Sequence, residues 1–156
     1  MLAPNKTVVR IARHDDINAI SALITFYAEL GNLLPRSIDE ISQNLEHFLV
    51  ATVEGEIAAC ASFELFTPIL GEIRSLMVSS DYQRQGIASN LIKHLIDRAQ
   101  NMKVKQVMAL TYIPKLFHQH GFRTVDKSIF PEKVWGICVN CYKFNNCDEI
   151  AVLLEL

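Results

Sequence analysis

A short loop, Gln83-Arg84-Gln85-Gly86-Ile87-Ala88, constrains the fold of this chain more than any other segment. It follows an apolar, strand-like run, Ile73 to Val78, and leads into an amphipathic, helix-like run, Ser89 to Ala99. Glycine at such a strand-to-helix turn lets several backbone N–H groups face one point, where the helix dipole favours an anion. The sequence therefore predicts a site for a phosphorylated ligand at this loop.

The composition is that of one soluble globular domain. The chain has 156 residues, 50% of them hydrophobic, and a net charge of −2. This length allows a sizeable core, and the charge argues against disorder and against a nucleic-acid-binding surface. The apolar runs are short and broken by charges, and residues 1–13 lack the apolar core of a signal peptide. We expect a cytoplasmic protein with no nucleic-acid or membrane partner.

The order of the predicted elements mixes helices and strands. Hydrophobic spacing and capping residues predict helices after Asp15 or Asp16, after Ser37, at Gly86 to Met102 and from Pro114 to near Gly121. Strands are predicted at residues 8–11, 48–53, 57–66, 72–78, 105–111, 122–126 and 149–154. The expected fold class is α/β (α+β): a twisted mixed sheet of about six to seven strands flanked by about four helices.

The loop and its flanks resemble the GNAT superfamily of acyl-CoA-dependent N-acetyltransferases. The signature of that family has a basic or amide residue, two variable positions, Gly, one variable position and then Gly or Ala, filled here by Gln83, Gly86 and Ala88. IRSLMVSSDYQRQGIASNLIKHLIDRA around the loop and KLFHQHGF at residues 115–122 agree with it. The resemblance covers about residues 8–126. It implies a single GNAT domain over residues 1–156, with a cysteine-containing C-terminal segment at about 131–156.

The resemblance also implies acetyl-CoA as the cosubstrate. Backbone N–H groups of the loop would hold its pyrophosphate, and Gly86 would allow a close approach because it has no Cβ. Backbone groups of Leu76, Met77 and Val78 would pair with the pantetheine arm like an added strand. The predicted cofactor-binding loop comprises Gln83, Arg84, Gln85, Gly86, Ile87, Ala88 and Ser89. The alternative is that the loop is only a helix start, and that Leu76, Met77 and Val78 are ordinary core residues.

Within the superfamily, the chain resembles the acetyltransferase domain of amino-acid N-acetyltransferases, that is, N-acetylglutamate synthases. LLPRS, GEIRSLMV and ALTYIPKLFHQHGF carry this likeness, and PEKVWGICVNCYKFNNCDE is similar to the C-terminus of short stand-alone bacterial relatives. The likeness implies acetyl transfer to the α-amino group of L-glutamate for arginine biosynthesis, and a possible homodimer. The long enzymes also carry an amino-acid-kinase-like domain that senses arginine, and we expect no such regulation in a chain of this length.

Acetyl transfer needs a base, because an ammonium group has no lone pair with which to attack the thioester. Glu72 is the first candidate, since the family often places a glutamate on this strand. Alternation puts Glu72, Arg74 and Leu76 on one face. A simple ion pair between Glu72 and Arg74 is the alternative interpretation. His118 and His120 are other possible bases by their chemistry, although a helix end also suits solvated or capping histidines.

The leaving thiolate needs a proton donor. Many GNAT members use a tyrosine four residues before the glycine of the Gly-Phe pair, and here Phe117 occupies that position without a hydroxyl. Tyr112, just after the fifth predicted strand, is the nearest hydroxyl of the right type and becomes the candidate general acid. Its alternative role is packing at a strand end.

An amino-acid acceptor carries carboxylates, which suit the forked guanidinium of arginine. Arg36 matches the arginine of an LVRR-like loop of the family, and Arg74 lies on the catalytic strand, so both are candidate substrate-binding residues. Lys115 is a weaker third candidate, and a solvated surface position is the alternative for Arg36. Two other functions stay open: a GNAT enzyme for another amine or a protein N-terminus, and a non-catalytic acetyl-CoA-binding module.

Three cysteines, Cys138, Cys141 and Cys147, lie close together near the C-terminus. A C-x2-C turn can aim two thiolates at one ion, but structural zinc takes four ligands, and the fourth cysteine, Cys60, is distant in the sequence. We therefore expect no metal, and favour semi-buried or redox-active thiols.

Overall fold

The computed structural model describes residues 7–30, 36–129 and 149–156. These residues form one seven-stranded sheet, whose strands are β1 (Thr7–Ile11), β2 (Phe48–Val53), β3 (Glu56–Thr67), β4 (Leu70–Val78), β5 (Gln106–Thr111), β6 (Arg123–Val125) and β7 (Ile150–Glu155). The helices are α1 (Ile17–Glu29), α2 (Ile38–Gln43), α3 (Ile87–Asn101) and α4 (Pro114–His118). The predicted fold, a mixed sheet flanked by helices, is confirmed.

The sheet has the order β1-β2-β3-β4-β5-β7-β6. Strands β4 and β5 run parallel and are joined through α3, while the other neighbouring strands are antiparallel. The β4–β5 pairing covers Leu70–Gln106, Gly71–Val107 and Glu72–Met108. Both strands continue beyond this point, to Val78 and Thr111, without further pairing between these two described strands. Within residues 7–30, 36–129 and 149–156, strand β4 therefore has an open edge between Glu72 and the loop that precedes α3.

The starts of α1 and α2 show which predicted caps form. Asp16 precedes α1, but its carboxylate accepts hydrogen bonds from Arg10 and from the Arg13 backbone N–H instead of capping the helix. At α2, the Ser37 hydroxyl accepts from the Glu40 backbone N–H at 3.0 Å, as the capping-box spacing predicts. The Glu40 carboxylate instead binds Arg36, so only half of the capping box is present.

The two faces of the sheet bury different helices. One face packs against α3, with a core that includes Phe63, Ile73, Leu91 and Leu95. The other face packs against α1 and α2, with a core that includes Ile20, Ile24, Ile41, Phe48, Cys60 and Met77. Gly71 lies on β4 where an added Cβ would overlap the Phe63 ring, so close packing of that ring requires a glycine at this position.

A bulge at Ser75 corrects the predicted alternation of strand β4. Ser75 has φ +55°, and the register with β3 passes from Cys60–Met77 to Ser62–Arg74, which leaves one extra residue on β4. Leu76 packs with the α3-side core, whereas Arg74 contacts Glu64 on the other face of the sheet. The prediction that Leu76 shares a face with Glu72 and Arg74 is therefore wrong, because the bulge reverses the alternation after Arg74.

Candidate active site

The loop between β4 and α3 has the geometry of an anion cradle. Arg84 and Gly86 adopt left-handed conformations, with φ +65° and +79°, and α3 begins immediately afterwards. The first hydrogen bond of the helix runs from Asn90 N–H to the Gly86 carbonyl at 3.0 Å. The N–H groups of Ile87, Ala88 and Ser89 consequently have no carbonyl partner within the helix, and they lie at its positive end.

Space for a ligand exists directly above the cradle. Gln83, Arg84, Gln85 and Gly86 are exposed, and no atom of the described residues lies within 4 Å of the position that a Cβ on Gly86 would take. The left-handed conformation and this open space together explain the glycine: another residue would be strained, and its side chain would fill the region that faces the N–H groups.

The side chain of Gln83 faces the protein. Its Nε2 donates to the Tyr27 hydroxyl at 2.8 Å and to the Val78 carbonyl at 3.3 Å, and the Tyr27 hydroxyl itself donates to the same carbonyl at 2.6 Å. The Val78 carbonyl thus already has two donors, while the backbone edge of Leu76 and Met77 belongs to the open part of β4. Helical periodicity does not reveal this contact of Tyr27, because the partner Val78 is 51 residues away.

The two candidate histidines lie at the end of α4 and bind neighbouring hydroxyl groups. His120 Nε2 is 2.7 Å from the Ser89 hydroxyl in the first turn of α3, and His118 Nε2 is 2.8 Å from Thr124 Oγ1. Partial burial, together with the positive charge of Lys93, lowers the pKa of His120 below its ordinary value. The His120–Ser89 contact joins the segment after α4 to the first turn of α3, beside the cradle.

Four charged side chains form a cluster on the α1/α2 face of β3 and β4. Glu64 and Glu72 are directly opposite each other in the antiparallel register. Arg74 lies between them: its Nη1 donates to Glu64 Oε1 at 3.0 Å, and its Nε is 4.0 Å from Glu72 Oε1. Arg36 donates through Nη2 to Glu64 Oε2 at 2.8 Å. The structure thus brings together the predicted residues Arg36, Glu72 and Arg74, and adds Glu64.

Arg36 is almost completely buried, with 1% of its side chain exposed. Besides Glu64, it binds Glu40 through Nε at 2.9 Å and the hydroxyls of Ser62 and Ser75 through Nη1 at 3.2 Å each. Its guanidinium also lies over the Phe48 ring, 4.9 Å from the centroid. The alternative of a solvated surface arginine is therefore wrong.

Glu64 joins the two arginines, and the sequence analysis did not find it. Burial alone would raise the pKa of Glu64, but the charges of Arg74 and Arg36 outweigh that effect and hold the pKa below its ordinary value. The only sequence signal was a charged residue inside a long apolar strand, and its pairing with Glu72 depends on a register that the sequence does not display.

The position that carries a general acid in many relatives is part of the core here. Phe117 is 3% exposed and packs edge-to-face against Phe122, with ring centroids 5.2 Å apart. Tyr112 follows the end of β5 and is 37% exposed. Lys115 is exposed on α4.

The cysteine in the described part of the chain is not a nucleophile. Cys60 is buried, and its thiol contacts the Ser75 carbonyl at 3.6 Å. Burial raises the pKa of this thiol to about 12, so it stays protonated. Residues 7–30, 36–129 and 149–156 contain no group of three side chains suited to a metal ion. Cys138, Cys141 and Cys147 lie outside the described residues.

A parallel β-α-β unit with an anion cradle and an open strand edge fits a phosphorylated cofactor with an extended arm. The chain belongs to the acetyltransferase (GNAT) family, whose model matches residues 16–122. It is therefore a GNAT N-acetyltransferase with acetyl-CoA as its cosubstrate.

None of the helices in the described ranges is long and apolar enough to cross a membrane.

Relatives differ in how much of their length this chain covers. An uncharacterized N-acetyltransferase of Chlorobaculum tepidum is 35% identical over 150 residues, which are 96% of this chain and 97% of the relative. The amino-acid acetyltransferase of Mycobacterium tuberculosis is 29% identical, with coverage of 97% and 86%. The amino-acid acetyltransferase of Neisseria meningitidis is 32% identical over 126 residues, and these residues span 29% of the length of that protein.

Among solved structures, the N-acetylglutamate synthase of Neisseria gonorrhoeae in complex with coenzyme A and N-acetyl-glutamate superimposes with a TM-score of 0.84 at 28% identity. The match covers 96% of this chain and 35% of the synthase.

Proposed function

We propose that this protein transfers the acetyl group of acetyl-CoA to the α-amino group of an amino acid, with L-glutamate as the first candidate acceptor. The observation that carries the proposal is the position of the Glu72–Arg74 pair, next to the point where the open edge of β4 begins. The cradle lies at the other end of this edge. Val78 lies six residue positions after Glu72 on β4, which corresponds to about 20 Å of strand. An extended cofactor arm held on this edge would bring its thioester from the cradle towards Glu72.

Each group of the site has a role in the proposed reaction. Glu72 accepts a proton from the acceptor ammonium group, directly or through water, and the amine then attacks the thioester carbonyl carbon. The new N–C bond forms through a tetrahedral intermediate, and the C–S bond breaks. Tyr112 donates a proton to the leaving thiolate. Direct attack is favoured over an acyl-cysteine, since the Cys60 thiol is buried and protonated.

Two comparisons support glutamate as the acceptor. A synthase of similar fold has been solved with N-acetyl-glutamate bound, and an amino-acid acetyltransferase of M. tuberculosis matches over nearly the whole of this chain. On this proposal Arg74 binds a carboxylate of the acceptor. The product, N-acetylglutamate, would enter arginine biosynthesis.

The charges of the site favour a second candidate, an amino acid with a single carboxylate. Glu40, Glu64 and Glu72 supply three negative charges around two guanidinium groups, and Arg36 is occupied by protein partners. Of these two guanidinium groups, Arg74 is then the one available for an acceptor carboxylate, whereas glutamate brings two carboxylates.

A panel assay separates these acceptors. Purified protein is incubated with acetyl-CoA and each of the twenty amino acids, released CoA is measured with a thiol reagent, and the product is identified by mass. The proposal expects turnover with at least one amino acid and acetylation of its α-amino group. Turnover only with other amines or protein N-termini would refute it, and acetyl-CoA binding without any turnover would favour a non-catalytic module.

A further inference from the structure

We propose that Glu64 is a positioning residue, which fixes the guanidinium of Arg74 for the acceptor amino acid, and that Arg36 acts through Glu64 instead of touching the acceptor. The inference deepens the proposed function and rests on it. Its basis is the division of the Glu64 carboxylate between two arginines: Oε1 accepts from Arg74 at 3.0 Å and Oε2 accepts from Arg36 at 2.8 Å.

Burial distinguishes the two arginines. Exposed fractions of the side chains are 1% for Arg36, 21% for Glu64 and 18% for Arg74. Arg36 is held by several protein groups and cannot turn towards a ligand without breaking these contacts. It forms the fixed inner end of a chain of charges, and Arg74 forms the outer end that a ligand can reach.

The position of Glu72 explains why Glu64 is needed between Arg36 and Arg74. Without Glu64, the next carboxylate for Arg74 is Glu72, whose Oε1 is 4.0 Å from Arg74 Nε. Arg74 would then close onto the proposed base, and a carboxylate of the acceptor would lose its oriented donor. Glu64 therefore keeps Arg74 and Glu72 available for separate tasks.

The sign of the expected effect separates positioning from simple charge. If Glu64 acted only through its negative charge, its removal would favour an acceptor carboxylate and lower the KM for the amino acid. If it positions Arg74, loss of the bridge raises that KM by about tenfold, which is typical for a charged hydrogen bond.

The experiment compares Glu64→Gln, Glu64→Asp, Arg74→Met and the double variant Glu64→Gln/Arg74→Met, with an amino acid that the wild type acetylates. Glu64→Asp keeps the charge, but its carboxylate is one methylene too short to bridge both arginines. Glu155→Gln, in the exposed pair with Arg123 on β7 and β6, is the matched control. We expect both Glu64 variants to raise the acceptor KM about tenfold, with the acetyl-CoA KM within twofold.

Two further results complete the test. Because Glu64 acts through Arg74, adding Glu64→Gln to Arg74→Met should raise the acceptor KM no further. In the NMR spectrum, the Arg74 Nη–H signals should exchange faster with water in Glu64→Gln than in the wild type, because Nη1 is the nitrogen that donates to Glu64. An unchanged or lowered acceptor KM in both Glu64 variants would overturn the proposal, as would an additive double variant.

Failure of the proposed function would give a different set of results from failure of the positioning role. In that case the wild type acetylates no amino acid, while the exchange of the Arg74 Nη–H signals still reports whether Glu64 holds Arg74. Unchanged exchange in Glu64→Gln and in Glu64→Asp would then exclude the positioning role.

Discussion

The Tyr27 hydroxyl lies 2.6 Å from the Val78 carbonyl oxygen and donates a hydrogen bond to it. This contact joins helix α1 to the end of strand β4, where the cradle loop begins. Gln83 donates to both groups, so the first residue of the loop, the helix and the strand end share one small network. The network fixes the loop from the side opposite to its exposed face.

Replacement of Tyr27 by phenylalanine tests this network. The variant keeps the ring but loses the hydroxyl, which leaves the Val78 carbonyl with Gln83 as its remaining donor among the described groups. We expect the KM for acetyl-CoA to rise about fivefold to tenfold, consistent with the loss of about 1 kcal/mol of hydrogen bonding at the loop. Steady-state kinetics measured with acetyl-CoA as the varied substrate report this value.

Gln83→Ala serves as the companion to Tyr27→Phe. It removes the Gln83 donor and leaves the Tyr27–Val78 hydrogen bond intact. The acetyl-CoA KM should therefore rise as in Tyr27→Phe, while the melting temperature should change less than in Tyr27→Phe. A lower melting temperature with an unchanged acetyl-CoA KM in both variants would show that the network supports only the fold.

Local patterns predicted the parts of the fold that depend on neighbours in sequence. The alternation of apolar residues, Ser37 as a cap and Gly86 before a helix all act within a few residues, and their predictions agree with the structure. The Ser75 bulge has no such signal. It depends on how β3 and β4 pair across the sheet, and this pairing decides that Leu76 faces away from Arg74.

Gly86→Ala tests the cradle against a matched glycine elsewhere. Gly86 has φ +79° and Gly55, in the β2–β3 hairpin, has φ +84°. Within the part of the chain that the structure describes, neither has atoms within 4 Å of an added Cβ. Alanine at either position should destabilise the protein by about 1–2 kcal/mol through backbone strain. Only Gly86→Ala should also raise the acetyl-CoA KM, by about tenfold or more, because its Cβ enters the region facing the N–H groups.

Urea unfolding measures the loss of stability in these two variants, and initial rates measure the acetyl-CoA KM. Equal KM values for Gly86→Ala and Gly55→Ala would place the pyrophosphate away from this loop.

The candidate site was predictable in its residue types but not in its contacts. Arg36, Glu72 and Arg74 were predicted from the charged groups that an amino-acid acceptor would require, and their side chains do lie in one cluster. That Arg36 is buried follows from Ser62, Ser75 and Phe48 around it. These partners lie on strands far from Arg36 in the sequence, so composition and spacing do not predict these contacts.

The lowered pKa of His120 predicts a pH dependence of stability. Below pH 6.5, the ordinary pKa of histidine in the unfolded chain, the unfolded state binds a proton more readily than the folded state. Stability should therefore be full above pH 6.5 and fall as the pH drops towards the lower folded pKa. Melting curves between pH 7.5 and pH 5.0 should show a smaller decrease for His120→Gln than for the wild type.

His94→Gln is the control for this pH effect, because His94 is exposed in the middle of α3. It should retain the pH dependence of the wild type. If His120→Gln and the wild type lose stability in parallel, the Ser89–His120 contact does not sense protonation.

Tyr112→Phe and Phe117→Tyr together test which position supplies the proton for the thiolate. Tyr112→Phe should lower kcat by about 10²-fold, the lower end for loss of a general acid, with a small change in either KM.

Phe117→Tyr restores the residue found in many relatives, but its ring is buried against Phe122, and a hydroxyl without a partner there should destabilise the protein by about 1–3 kcal/mol. The double variant Tyr112→Phe/Phe117→Tyr should therefore remain as slow as Tyr112→Phe, as judged by single-turnover rates. Recovery of kcat in that double variant would show that the thiolate leaves next to α4, and that Tyr112 is not the acid.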